Sequence, residues 1–135
     1  TFVAAVVERS GCGFLLDLAH ARVSASVLGM DERDYLSALP LDRVVEMHIH
    51  GPRRLDECAP RLQAVVRQNA HSVAHMLAFH DACLVDAHEP LREDDYALLA
   101  WVLARARPRA ISLEYYRDAD ALRDQLLRLR AMLEC

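Results

Sequence analysis

The sequence predicts an α/β fold built on a parallel sheet, and three observations carry the prediction. Short apolar runs alternate with amphipathic stretches along the whole chain. Each run with its following helix occupies roughly 30 residues, the size of a right-handed crossover unit. Four apolar runs also finish in carboxylates or imidazoles, as strands do when their carboxyl ends open onto a site. A complete eight-stranded barrel takes about 250 residues, so four strands in this chain would make half of one.

The elements follow in order. Residues 1–10 have helical spacing at Phe2, Val3, Val6 and Val7 and stop at Gly11 and Gly13, which suit a left-handed helix end. GFLLDLA reads as a short buried strand, residues 19–28 as a helix, and DERDYLSALP as a second short helix with Asp31 as N-cap and Pro40 as terminator. RVVEMHIH is the second strand. Residues 60–79 place Leu62, Val65, Val66, Val73, Met76 and Leu77 on one helical face. CLVDAH is the third strand. EDDYALLAWVLARARP is a helix with acids in its first turn and Arg in its last, matching the helix dipole, and the REDD run is its start. AISLEYY is the fourth strand, and DADALRDQLLRLRAML closes the chain as an amphipathic helix. Residues 52–82 are longer than a strand connection requires and are expected to be a helical insertion in a loop, where added length costs little.

Composition narrows the function. At 135 residues, with 53% apolar and 27% charged residues, the chain is sized for one globular core. No apolar run approaches the roughly 18 residues of a membrane span. The formal charge of -4, with both signs interspersed and no Lys, offers no basic face for a nucleic acid. Cys12, Cys58, Cys83 and Cys135 form no C-x-x-C pair and follow no signal peptide, so reduced thiols in the cytosol are the default. Opening in mid-helix on Thr1 suggests an amino end cut from something longer. There is no G-x-S-x-G, G-x-G-x-x-G or Walker loop, and Cys12 and Cys83 have no local support as nucleophiles.

The strand ends carry the chemistry. The first ends in Asp17 and His20, the second in Glu46, His48 and His50, the third in Asp86 and His88, and the fourth in Glu114. Taken singly, Asp17 suits a helix N-cap, His48 a hydrogen-bonded rim histidine, and Glu114 an ordinary paired carboxylate. Taken together they converge on one rim, where carboxylates repel one another unless cations sit among them. Carboxylates and imidazoles without cysteine suit Fe, Mn or Zn, and more than one ion is natural for so many donors. Period-two alternation puts Asp86 and His88 on one face of their strand. Glu46 and His50 are candidates to support the ligands from behind. His71 and His75, at i and i+4, are expected to be a packed or solvated pair, and His80 a structural residue.

The runs CGFLLDLAHARVSA, YLSALPLDRVVEMHIHG, LVDAHEP and ISLEYY resemble the C-terminal half of the multinuclear non-haem iron-dependent oxidative enzymes, a TIM-barrel family. The likeness covers most of the chain apart from about residues 52–82. It implies iron ligation by Asp17, His20, His48, Asp86, His88 and Glu114, with two or three iron ions in the full-length protein. Many members carry Asn-Asn where this chain has Ala19 and His20, although D-x-x-H also occurs. The resemblance further implies O2-dependent oxidation of cysteine residues in a ribosomally made precursor peptide, with a partner protein that presents the peptide. The family's earlier histidine ligands and bridging Glu are expected on strands preceding Thr1, so this chain alone should hold part of the cluster. A zinc- or manganese-type barrel hydrolase or isomerase, and a non-catalytic fragment, are the alternatives.

Overall fold

The computed structural model describes residues 1–70 and 83–134 of the chain. Helix α1 (Phe2–Ser10) is capped by Thr1, whose side chain accepts the Ala4 N–H at 3.2 Å, and it ends at Gly11 with φ 68°, a conformation a glycine adopts without a Cβ clash. Strand β1 (Phe14–Asp17) runs directly into α2 (Leu18–Leu28). Helix α3 (Glu32–Ser37) starts at Asp31, whose carboxylate accepts the N–H groups of Arg33 at 2.8 Å and Asp34 at 3.2 Å. Then come β2 (Val44–Ile49), β3 (Gly51–Arg54), α4 (Pro60–Ala70), β4 (Leu84–Glu89), α5 (Glu93–Leu103), β5 (Ala110–Leu113) and α6 (Ala119–Leu133). The expected continuation of α4 through residue 79, with His71, His75 and His80, lies outside the described residues.

Strands β1, β2 and β5 form a parallel sheet in that order, with Asp17 level with His48 and Met47 level with Leu16 and Ile111. Alternation gives the sheet two unlike faces. Leu16, Met47 and Ile49, with Ile111 and Leu113, pack against Leu18, Leu36, Tyr96, Leu99, Val102 and Leu129 of the helices. Each such aliphatic side chain contributes about 1.5–3 kcal/mol when fully buried, so this face holds the sheet to the helices. The other face carries Leu15, Asp17, Glu46, His48 and Glu114, and Leu15 is 46% exposed.

The third expected strand departs from the reading. Among the described residues β4 is not a parallel neighbour of β2: it runs antiparallel to β3, with Gly51 opposite Glu89 and Arg53 opposite Val85, and β5 takes the place beside β2. The parallel strands described are therefore three rather than about four. The cause lies in the Gly-Pro step after β2. A Cβ on Gly51 would stand 2.6 Å from the Glu89 carbonyl oxygen and would also strike that of Pro90, so only glycine lets the two backbones come this close. The first residues of the segment expected to be a helical insertion are part of β3.

A buried charge cluster ties the helices together. The Arg22 guanidinium in α2 donates to Glu32 at 2.8 Å, to Asp94 at 2.8 Å and to Asp95, joining α2 to α3 and to the start of α5. Asp95 is buried and also accepts the Arg92 N–H at 2.6 Å. Burial pushes its carboxyl pKa up, against the pull of the Arg92 N–H and of Arg22. The REDD run is thus a helix start, as read, and also the anchor for a cation in α2. Among the described residues no helix is long and apolar enough to cross a membrane.

Two outcomes follow for the full-length protein. Gly51→Ala should cost about 1–3 kcal/mol through overpacking between β3 and β4, read as a lowered urea midpoint; an unchanged midpoint would mean the strands do not meet there. Arg22→Ala should cost about 3–5 kcal/mol by stranding Asp95, whereas Arg33→Ala, whose guanidinium lies 5.7 Å from the Trp101 ring centre, should cost no more than about 1 kcal/mol.

Candidate metal centre

The rim begins where β1 becomes α2. One oxygen of Asp17 accepts the His20 N–H at 2.9 Å, capping the helix, while the other lies 3.1 Å from His20 Nδ1. The cap therefore turns the second oxygen and the imidazole toward each other. On β2, Glu46 and His48 share one face of the strand with His50 just beyond its end, because every second residue points the same way. His48 stands level with Asp17 in the sheet register. Its Nδ1 lies 3.1 Å from Glu114 Oε1, and its Nε2 3.2 Å from Glu46 Oε1. Glu114 follows β5 and extends the parallel ladder, donating its N–H to the Ile49 carbonyl at 2.9 Å.

The D-x-H run arrives on β4 from the side. Val85 and Ala87 are buried, and Asp86 and His88 face the rim between them. His88 Nε2 lies 3.1 Å from Asp86 Oδ1, and His20 Nε2 lies 3.2 Å from Asp86 Oδ2. His88 adopts φ 47°, the left-handed region that a non-glycine residue enters at a cost of order 1–3 kcal/mol. Its Nδ1 lies 3.0 Å from the Glu114 carbonyl oxygen and donates to it in the Nδ1–H tautomer, which leaves Nε2 with its lone pair turned toward Asp86.

His50 lies at the centre. It is 2% exposed, its ring stacked on that of His88 at 4.0 Å and edge-on to that of His20 at 5.7 Å. Among the described residues neither ring nitrogen has a hydrogen-bond partner; Asp86 Oδ1 comes within 3.4 Å of Nε2 but outside hydrogen-bond geometry. Burial lowers its pKa, the neighbouring His88 lowers it further, and Asp86 opposes both. Burial thus favours the neutral ring, the form in which an imidazole offers a lone pair. Buried nitrogens without a partner are costly, and a cation among these donors would satisfy one of them.

Among the described residues the donors fall into three overlapping groups whose atoms lie within 4.8 Å of one another: Asp17, His20 and His50; His50, Asp86 and His88; and Asp17, His48 and Glu114. The six residues that the resemblance implies as ligands thus lie together on one rim. His50, placed behind the ligands in the sequence reading, supplies donor atoms to two groups, while Glu46 stays beside His48. The signal for His50 was its spacing, since it follows Glu46 and His48 at intervals of two. Oxygen and imidazole donors without sulfur fit Fe, Mn or Zn.

The family model described as RiPP precursor modification enzyme MbnB/TglH/ChrH matches residues 1–133. A UPF0276 protein of Bordetella pertussis is 35% identical over 113 residues, covering 84% of this chain and 32% of that protein. One from Caulobacter vibrioides is 32% identical over 129 residues, covering 95% and 37%, and one from Paraburkholderia phytofirmans is 47% identical over 58 residues, covering 42% and 19%. The chain spans about a third of the length of the Bordetella and Caulobacter relatives.

In metal-stripped full-length protein, His50→Phe keeps the stacked ring and removes the two unpartnered nitrogens. It should raise unfolding stability by about 1 kcal/mol. A loss of similar size in the denaturation midpoint would mean that the nitrogens are satisfied.

Proposed function

The chain belongs to the RiPP precursor modification enzyme family MbnB/TglH/ChrH, and on that premise we propose that its rim of carboxylates and imidazoles binds iron in an oxidase of ribosomally made peptides. The proposal is made for a protein of the relatives' full length, closed as a (β/α)8 barrel and working in the cytoplasm. Asp17, His20, His48, Asp86, His88 and Glu114 are the proposed ligands, His50 joins them, and Glu46 orients His48. Two or three iron ions are proposed for the complete site, and the substrate is a precursor peptide, presented by a partner protein, whose cysteine residues are oxidised with O2.

The observation that supports the reading most strongly is the buried His50 ring, without a hydrogen-bond partner among the described residues, in the middle of acid and imidazole donors gathered from β1, β2, β4 and the end of β5. A rim built only for structure would satisfy that ring. Bound iron would supply the transfer of electrons from the peptide thiol to O2. The chain's own residues do the positioning. The Asp17 oxygen that caps α2 is committed to the His20 N–H, which leaves one oxygen for a cation. The Glu114 carbonyl fixes His88 by its Nδ1, leaving Nε2 free to ligate. The register of the parallel sheet keeps Asp17, His48 and Glu114 together with little freedom, so an ion meets a preorganised donor group there.

The test uses full-length protein purified without oxygen. His48→Ala and Asp86→Ala are each expected to weaken iron binding at least about tenfold and to abolish cysteine oxidation, with the circular dichroism spectrum unchanged. Metal analysis and Mössbauer spectra on the same samples decide it. Unchanged iron and activity in both variants would refute the ligand assignment, and a protein loaded with zinc and turning over by hydrolysis would replace the oxidase with a metal-water enzyme on the same rim.

A further inference from the structure

Strand β4 supplies Asp86 and His88, yet among the described residues its only backbone pairing is with β3, outside the parallel sheet that carries Asp17, His48 and Glu114. Its first residues are fixed from α2, where the Ser26 hydroxyl accepts the Leu84 N–H at 2.9 Å. Its last residues pair with β3 at Gly51 and accept from Arg53 at the Pro90 carbonyl, and neither contact ties them to the sheet bearing Glu114. Arg117 provides that tie: Nη2 donates to the Ala87 carbonyl at 2.8 Å, and Nη1 pairs with the Glu89 carboxylate. These contacts bracket His88 on both sides in the sequence. Arg117 is itself held in place, since it lies between Glu114, which is bonded to Ile49, and Asp118, whose carboxylate caps α6 by accepting the Ala121 N–H at 2.8 Å.

The geometry points to Arg117 as a positioning residue, one that holds the Asp86 and His88 arm against the sheet bearing Glu114. A bidentate guanidinium suits the task, because one planar group grips a backbone carbonyl and a carboxylate in a fixed relation. The arm also stores strain at His88, whose left-handed φ persists only while its surroundings enforce it. With Arg117 gone, the pairing of Gly51 with Glu89, the Arg53 bond to the Pro90 carbonyl and the Nδ1 contact from His88 to Glu114 remain at that end, but His88 is no longer gripped at Ala87 and at the Glu89 side chain, and the residue can relax toward an extended conformation. Asp86 and His88 would then swing away from His50, while Asp17, His48 and Glu114, which the parallel register fixes, would stay together. The expected consequence is selective: one donor group loosens and another does not.

This inference rests on the metal reading of the rim, and the experiment separates the two. Anaerobic Fe(II) titration of full-length wild-type protein, Arg117→Met, Arg117→Lys and Glu89→Gln is followed by Mössbauer spectroscopy of each. In Arg117→Met the class of iron served by His50, Asp86 and His88 should weaken by roughly tenfold to hundredfold, the cost usual for losing a residue that orients ligands. The class served by Asp17, His48 and Glu114 should keep its affinity and its doublet. Arg117→Lys, which can reach the carbonyl or the carboxylate but not grip both in a plane, should recover part of the loss. Glu89→Gln, which keeps the carbonyl contact, should weaken the same class less, and it decides the matter if Arg117→Met fails to fold. Wild-type protein that takes up no iron would overturn the metal reading and this inference with it. Wild-type uptake with every class unchanged in the folded Arg117 variants, or in Glu89→Gln, would overturn the inference alone, as would uniform weakening of all classes.

Discussion

The close approach of two backbones at Gly51 is the constraint on which the site depends. Directly after His50 the chain must leave a parallel sheet and meet β4 with no room for a side chain, since a Cβ would collide with the carbonyl oxygens of Glu89 and Pro90. That contact brings Asp86 and His88 up against a strand end already bearing Glu46, His48 and His50. It also buries His50 between the two sheets, stacked on His88 and shut off from water. A larger residue at position 51 would hold β4 away and leave the rim with the donors of the parallel sheet and His20.

Two kinds of order meet at the rim. The parallel strands hold their donors through register and through an apolar face, which is cooperative and stiff because every core contact supports it. The β4 arm is held by its hydrogen-bonded ladder with β3 and by polar ties at its ends: Ser26 at one, Arg53, Arg117 and the Glu114 carbonyl at the other. Away from the rim, the Arg22 cluster fixes α2 against α3 and α5, and so fixes the helix whose first turn carries His20. The donor set is preorganised by packing on one side and by hydrogen bonds on the other.

The features legible in the sequence were those with a local cause. Helix ends at Gly11 and Asp31, and the facing of Asp86 and His88, follow from capping chemistry and period-two alternation, which act over a few residues. Asp17 met both of its readings, cap with one oxygen and rim with the other. What stayed hidden was set by distant partners. GPRR has the composition of a loop, and only the pairing with β4 makes it a strand. Placing CLVDAH in the parallel sheet followed from chain order, whereas its neighbour was decided at Gly51. Asp95 looked like any acid in a first helical turn, and the clue to its burial sat far away in Arg22, a charge within the otherwise small and apolar stretch of α2.

The rim is proposed as an iron site divided between the parallel sheet and the β4 arm. A crystal structure of the full-length protein, with anomalous difference maps collected on both sides of the iron absorption edge, is the direct test. Iron peaks are expected within bonding distance of Asp17, His48 and Glu114 and of His50, Asp86 and His88. Peaks that follow the zinc edge instead, or a rim whose imidazoles are closed by hydrogen bonds to protein groups with no metal between them, would contradict it.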